Sequence, residues 1–172
     1  MVRDPDVGDT AAGRVRRGSD RKAPFARRVD WLSDLVRVEI VLWNGVDARL
    51  RREHGLSLAF FESLYFTSRA PGGSLRVGDL AAALRVTVGG TSKLVDRIEA
   101  AGLFARSPDP DDRRAARVSL TPAGERALRA AIETYQAELA AFLDPVLDAR
   151  EQEEMHGFVR RLLDAAGDGV QP

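Results

Sequence analysis

The 172-residue chain contains no cysteine, which excludes disulfides, thiolate metal sites and switching by thiol oxidation. Its two histidines, His54 and His156, have no partner at metal-ligand spacing, so no metal site and no cofactor are expected. No stretch approaches the roughly 18–20 apolar residues that a membrane span requires. The N-terminus follows its early charges with no apolar core, so a secretory signal is not expected and the chain is placed in the cytoplasm, away from membranes. Nucleophile-elbow, Walker A and dinucleotide-binding patterns are missing as well. Asp109, Asp111 and Asp112 crowd together, but Arg113 and Arg114 follow them and the Gly and terminal Glu of a calcium loop do not. No catalytic constellation is left, and an enzyme is not expected.

What is present is charge, unevenly spread. The 26 basic side chains balance 26 acidic ones, yet residues 1–28 and 76–120 each carry eight Arg or Lys, against four and six acids. Residues 122–172 reverse this, with ten acids against five Arg. A basic middle beside an acidic tail suits a molecule that offers one face to a polyanion. Residues 1–28 mix Gly, Asp, Pro and Arg without apolar periodicity and read as a disordered basic arm. The arm is either a solvated tail or a segment that lies on phosphates.

Leu32, Leu35, Val36, Ile40, Trp43, Val46 and Leu50 recur at three- and four-residue spacing and predict a long helix from Val29 to about Glu53. Val38, Val41 and Leu42 widen its apolar stripe, which calls for a second partner surface such as another subunit. A helix from Leu58 to about Ser68 follows, with Phe60, Phe61, Tyr65 and Phe66 as its aromatics. These side chains read either as ordinary core or as the wall of an apolar pocket, with Glu62 among them. Thr121 and Pro122 are a cap and first residue for another long helix to about Leu143. Asp148 and Glu151 form a capping-box-like start to a last helix. His54, at the end of the first helix, is expected to meet that helix's C-terminal carbonyls.

The stretch from Leu75 to Thr121 is different in kind. A short helix over about Val77 to Leu84, a turn at Arg85-Val86 and a second helix capped by Thr87 form a helix-turn-helix. In the second helix Leu94, Val95 and Ile98 have the spacing of a buried face. Gly89, Gly90, Ser92, Lys93, Asp96 and Arg97 are left on the exposed side, where Ser92 and Lys93 fit base contacts and Arg97 the phosphate backbone. At the glycines either the backbone itself comes closer to DNA or readout rests on Thr91, Ser92 and Lys93. Leu103–Arg106 and Arg117–Leu120 alternate as two strands of a hairpin, with Arg106 a further phosphate contact. The Pro-Asp-Arg tip between them can project Arg114, together with Arg113, into a minor groove. Asp112 would orient these arginines.

LVDRIEAAGLFAR at residues 94–106 and DPDDRRAARVSLTPAGE at residues 109–125 resemble the MarR family of bacterial transcription regulators. The D-x-R wing motif is matched at Asp112 and Arg114. The V-x-L-T-x-x-G junction is matched at Val118, Leu120, Thr121 and Gly124. A departure is Val88-Gly89-Gly90, where the family commonly carries Ser, Thr or bulkier polar side chains. The resemblance implies a homodimer whose first and last two helices intertwine with those of a mate. It also implies a small, often aromatic effector between the dimer helices and the reading domain. Trp43, Phe60, Phe61, Glu62 and Tyr65 are candidates to line that site.

The fold class expected is mainly α with a small β-hairpin: a winged helix-turn-helix over 57–121 and a helical dimerisation region over 29–56 and 122–166. The arm at 1–28 and a loose C-terminus at 167–172 flank them. The function expected is a sequence-specific regulator, a repressor, that binds double-stranded DNA at a pseudo-palindrome and is released by an aromatic or phenolic ligand. Its location would be the bacterial cytoplasm, on the nucleoid when bound. Two other classes stay open: a sequence-tolerant architectural DNA-binding protein, and a winged-helix module that binds protein.

Overall fold

A computed structural model describes residues 24–112 and 115–167. The elements run α1 (Pro24–His54), α2 (Leu58–Arg69), a single 3-10 turn (Pro71–Gly73), β1 (Ser74–Arg76), α3 (Val77–Leu84) and α4 (Val88–Ala100). They continue with β2 (Phe104–Pro108), β3 (Ala116–Leu120), α5 (Pro122–Leu143) and α6 (Ala149–Gly167). Mainly helical architecture with a small antiparallel sheet is what the sequence implied. The described residues fall into two compact units, one ending at Val36 and the other starting at Arg37. In the first, the start of α1 exposes Val29, Trp31, Leu32, Leu35 and Val36. Helix begins there at Pro24, five residues before the expected start. Most of the expected arm, residues 1–23, lies outside the described residues, as do 168–172.

In the second unit the core is formed by α2, α3, α4 and the sheet, with the end of α1 and the start of α5 packed against them. Leu50, Leu64, Leu80, Val95, Ile98 and Val118 are fully buried at its centre. The side chains that close it are those at three- and four-residue spacing on each helix, so the apolar period dictates which face turns inward. Ser57 caps α2 by accepting from the Phe60 N–H at 3.2 Å. Asp47 on α1 accepts the Leu58 N–H at 2.7 Å and pairs with Arg51 at 2.6 Å, which fixes how α1 hands over to α2. Among the described residues no helix is long and apolar enough to cross a membrane.

The sheet has three strands in the order β1-β3-β2, both pairings antiparallel. The expected hairpin is β2 and β3, with Phe104 opposite Leu120 and Arg106 opposite Val118. β1 is an addition: Ser74–Arg76 pairs with Ser119–Arg117 on the other edge of β3. Three residues after a Gly-Gly turn show too little alternation to be legible as a strand. Their ladder exists only because β3 lies alongside.

The junction from β3 to α5 explains the L-T-x-x-G motif in physical terms. The Thr121 hydroxyl caps α5 by accepting from the Gly124 N–H at 3.0 Å and donates to the Gly102 carbonyl at 2.7 Å. The Thr121 N–H donates to the Leu103 carbonyl at 3.0 Å. A Cβ on Gly124 would collide with that same Leu103 carbonyl, so only glycine lets α5 start this close to β2. α6 opens on a reciprocal capping box, Asp148 N–H to Glu151 and Glu151 N–H to Asp148, both at 2.9 Å.

His54 does not turn back onto the carbonyls of α1. Its Nε2 lies 2.7 Å from the Thr134 hydroxyl on α5. That hydroxyl donates to Glu53 at 3.1 Å, which leaves His54 Nε2–H as the donor of the pair. Arg49 joins in by bonding both Glu53 and Glu138, at 3.0 and 3.1 Å. The last turn of α1 is thereby fastened to α5 by side chains.

Candidate nucleic-acid interface

α3 ends at Arg85, whose φ of 54° places it in the left-handed region, and the Val86 N–H returns to the Ala81 carbonyl at 3.1 Å. That reversal sets α4 off in a new direction. Thr87 caps it, accepting the Gly90 N–H at 3.2 Å. Val95 and Ile98 anchor α4 in the core, so the opposite face is presented outward. Gly89, Gly90, Lys93, Asp96 and Arg97 are exposed and Ser92 is half-buried.

Thr91 is a correction. Expected to contact bases, it is completely buried, and its hydroxyl donates to the Thr87 carbonyl at 3.1 Å. It lies four residues before Val95, on the face that the core claims. The two glycines are not demanded by the chain's own packing. A Cβ on Gly89 would meet nothing within 4 Å, and one on Gly90 would touch the Thr87 hydroxyl at 3.2 Å. Each costs helix stability of about 1 kcal/mol relative to alanine.

Arg97 and Arg106, expected to contact phosphate, also make contacts within the protein. The Arg97 guanidinium lies over the Phe60 ring, 5.3 Å from its centre, a contact that attracts a cation to the π-face. Arg106 on β2 donates to Asp96 at 2.5 Å and Glu99 at 2.8 Å, both on α4. Two carboxylates already hold this guanidinium. It therefore ties the wing strand to α4. The reason is the β2 register: a residue opposite Val118 has its side chain beside the C-terminal half of α4.

At the base of the wing stands a residue the sequence reading did not single out for this role. The Asp109 carboxylate is buried and accepts Arg76 Nε at 2.7 Å and Nη2 at 2.8 Å. It also takes Arg117 Nη1 at 3.3 Å and the N–H groups of Asp111 and Asp112 at 2.9 and 3.1 Å. The Arg76 guanidinium, and after it those N–H groups and Arg117, hold Asp109 well below the usual carboxylate range against the opposing effect of burial. Arg117 in turn bonds the Ser74 hydroxyl and carbonyl at 3.0 and 2.9 Å. One carboxylate thus clamps all three strands and turns the chain into the wing tip. The signal in the sequence was an Asp two residues from Asp111 with Arg partners 33 and 8 positions away, a separation no local pattern reveals.

Asp112 enters the turn through its main chain, its carbonyl accepting the Ala115 N–H at 2.9 Å. Arg113 and Arg114, which it was expected to orient, lie outside the described residues. Between α3, α4 and the wing base is an open cleft of about 650 Å³, reached by Arg76, Asp79, Val88, Ser92, Arg106 and Ala116.

A second cavity, of about 260 Å³, lies between α2 and α5. Phe61, Glu62 and Tyr65 line it as expected, joined by Phe66, Ile132, Tyr135 and Gln136. Phe61 stacks on Tyr135 with ring centres 4.8 Å apart. Burial pushes the Glu62 carboxyl up, and burial with the Glu62 charge pushes the Tyr135 hydroxyl up. Trp43 and Phe60 are not in the lining. Trp43 is exposed on α1 and Phe60 carries Arg97. The α5 side chains were missed because nothing local shows which residues of α5 face α2. Among the described residues no group of His, Asp and Glu side chains could hold a metal ion.

Residues 54–115, the helix-turn-helix and most of the wing, match the model of the MarR family. The HTH-type transcriptional regulator YsmB of Bacillus subtilis is 32% identical over 76 residues, covering 44% of this chain and 52% of that protein. The chain spans about half the length of the curated relatives it matches. Among solved structures, a MarR family transcriptional regulator from Silicibacter pomeroyi is 27% identical with a TM-score of 0.68, covering 86% of this chain and 99% of that one. Another, from Streptomyces coelicolor and solved in complex with DNA, shares the fold at 23% identity and a TM-score of 0.73, covering 87% of this chain and 91% of that one. Over residues 54–115, from the end of α1 through most of the wing, this chain is similar to the MarR family of transcription regulators.

Proposed function

We propose that the protein is a sequence-specific DNA-binding transcription regulator, a repressor, that binds a pseudo-palindromic operator as a homodimer. The observation that carries this is the pairing of α4, whose outward face bears Ser92 and Lys93, with a wing clamped at its base by Asp109. The cleft between them is open. An α4 placed in the major groove brings Ser92 and Lys93 to base edges, and the wing then follows the backbone to the flanking minor groove. Arg113 and Arg114 are the wing-tip cations for that groove. The similar Streptomyces coelicolor regulator solved in complex with DNA is consistent with this use of the fold.

A second copy of the chain supplies the partner for the exposed apolar side chains of α1 and α6. Trp31, Leu35, Val38, Ile40, Trp43, Phe158, Val159 and Leu162 are each at least 41% exposed, more apolar surface than a lone soluble chain ordinarily shows. Twofold pairing would set two α4 helices about one helical turn of DNA apart. A small aromatic or phenolic effector would occupy the cavity between α2 and α5. It would release DNA only by binding a non-operator spacing of the heads more tightly than the operator-fitting one.

Selection of bound sites from random DNA by the purified full chain tests this reading. Two half-sites of opposite orientation, centred about 10 base pairs apart, are expected. Recovery without a consensus would instead mark an architectural binder, and no recovery at low salt a protein-binding module.

A further inference from the structure

We propose that Val88 is a base-reading side chain that recognises thymine by its C5 methyl group; the proposal rests on the DNA-binding reading above. Among the described residues between Gly55 and Thr121, the exposed large hydrophobic side chains are Val86 and Val88, at 52% and 57%. All the others among the described residues lie on α1, on α6 or around the end of α5. Neither valine packs into the core of the winged helix, and a β-branched side chain adds nothing to helix formation. Two exposed valines on either side of the Thr87 cap, the second of them the first residue of α4, contribute little to the fold.

Their position gives them something to meet. Val88 is the first residue of α4, one helical turn before Ser92, and both line the cleft that Arg76 and Asp79 border on the α3 side and Arg106, Asp112, Ala115 and Ala116 on the wing side. Gly89 beside it is surrounded by open space, since a Cβ there would meet nothing within 4 Å. The bare backbone next to Val88 is therefore not imposed by internal packing. It lets the valine methyls approach the floor of a groove without a neighbouring side chain holding them off. In the major groove the exposed methyl group belongs to thymine, while the other edges present hydrogen-bond donors and acceptors. A valine placed against cytosine or a purine would strip water from polar groups and return no hydrogen bond. Against thymine it buries methyl on methyl.

Uracil replacement isolates that methyl, because it leaves every hydrogen-bonding group of the base pair intact. On duplexes carrying the selected site, each thymine would be replaced in turn by uracil and affinity measured for the wild-type chain and for V88A. Alanine is the better helix former at this exposed position, so the variant keeps its fold, as circular dichroism will report. At one thymine in each half-site the wild type should lose about fourfold per replacement, the worth of one buried methyl-sized group. V88A should bind the thymine and uracil duplexes alike at that position and respond as the wild type does elsewhere. A wild type that prefers the selected site but ignores uracil at every thymine would overturn this proposal alone. So would a V88A that retains the full methyl dependence. Equal wild-type affinity for selected and random DNA would overturn the regulatory reading, and this proposal with it.

Discussion

Asp109 and Arg76 meet as a two-bond fork, Nε to Oδ2 at 2.7 Å and Nη2 to Oδ1 at 2.8 Å. The carboxylate is wholly buried while the guanidinium stays 40% exposed. Because β1 carries Arg76 directly into α3, this pair joins the wing to the first helix of the helix-turn-helix. An unpaired buried carboxylate is costly, so the wing is held in place as long as the fork persists.

Asp109→Asn should therefore loosen the wing without unfolding the helices. Operator affinity is expected to fall roughly tenfold or more, the scale on which one lost charge-assisted contact acts, with the far-ultraviolet dichroism unchanged. Fluorescence anisotropy on a labelled operator reads the first and dichroism the second. The pH dependence has a definite sign. A carboxylate depressed in the folded state contributes fully above its unfolded pKa of about 4 and is lost only as pH falls through the lower folded value. Wing anchoring should thus persist through the acid side of neutrality, and any loss of binding between pH 7 and 5 has another origin.

Gly124→Ala is expected to destabilise the protein by about 1–3 kcal/mol, since the added Cβ forces α5 away from the Leu103 carbonyl. Urea denaturation gives the number. A midpoint equal to that of the wild type would mean that the β3–α5 junction yields without cost.

Thr91→Val separates core from base contact. The hydroxyl bonds only within its own helix, so its loss should cost about 1 kcal/mol of stability and leave operator preference intact. Lys93→Ala should do the reverse, sparing the melting temperature and lowering the ratio of operator to random affinity. Competition binding at one salt concentration distinguishes them.

Glu62→Gln tests the α2–α5 cavity. Burial raises the Glu62 carboxyl. Its stabilising effect is then complete below the unfolded pKa of about 4.3 and is lost as pH rises through the folded value. The amide escapes this, so the variant should melt a few degrees above the wild type at pH 7 and converge with it near pH 4. Parallel melting curves at both pH values would show that the carboxyl is fully solvated.

How much of this was legible follows from the range of each interaction. The apolar repeat predicts every α-helix. Thr87, Thr121 and the Asp148–Glu151 pair are caps whose partners lie three residues on, so the sequence alone places the starts of α4, α5 and α6. The alternation of β2 and β3 and the L-T-x-x-G junction are likewise local. Periodicity also sets Val95 and Ile98 inside and Lys93 outside.

What only the tertiary structure decides is which side chains meet across distance. Thr91 and Ser92 look alike in sequence, yet the α4 face that the core claims takes one and leaves the other half-exposed. Arg106 is one arginine among several until the β2 register sets it beside Asp96 and Glu99. Asp109 becomes the clamp of the wing because β1, 33 residues earlier, brings Arg76 to it. Periods of 3.6 and 2 residues say which way a side chain faces. They do not say what it faces, because the partner is chosen by packing between elements that the chain order does not pair.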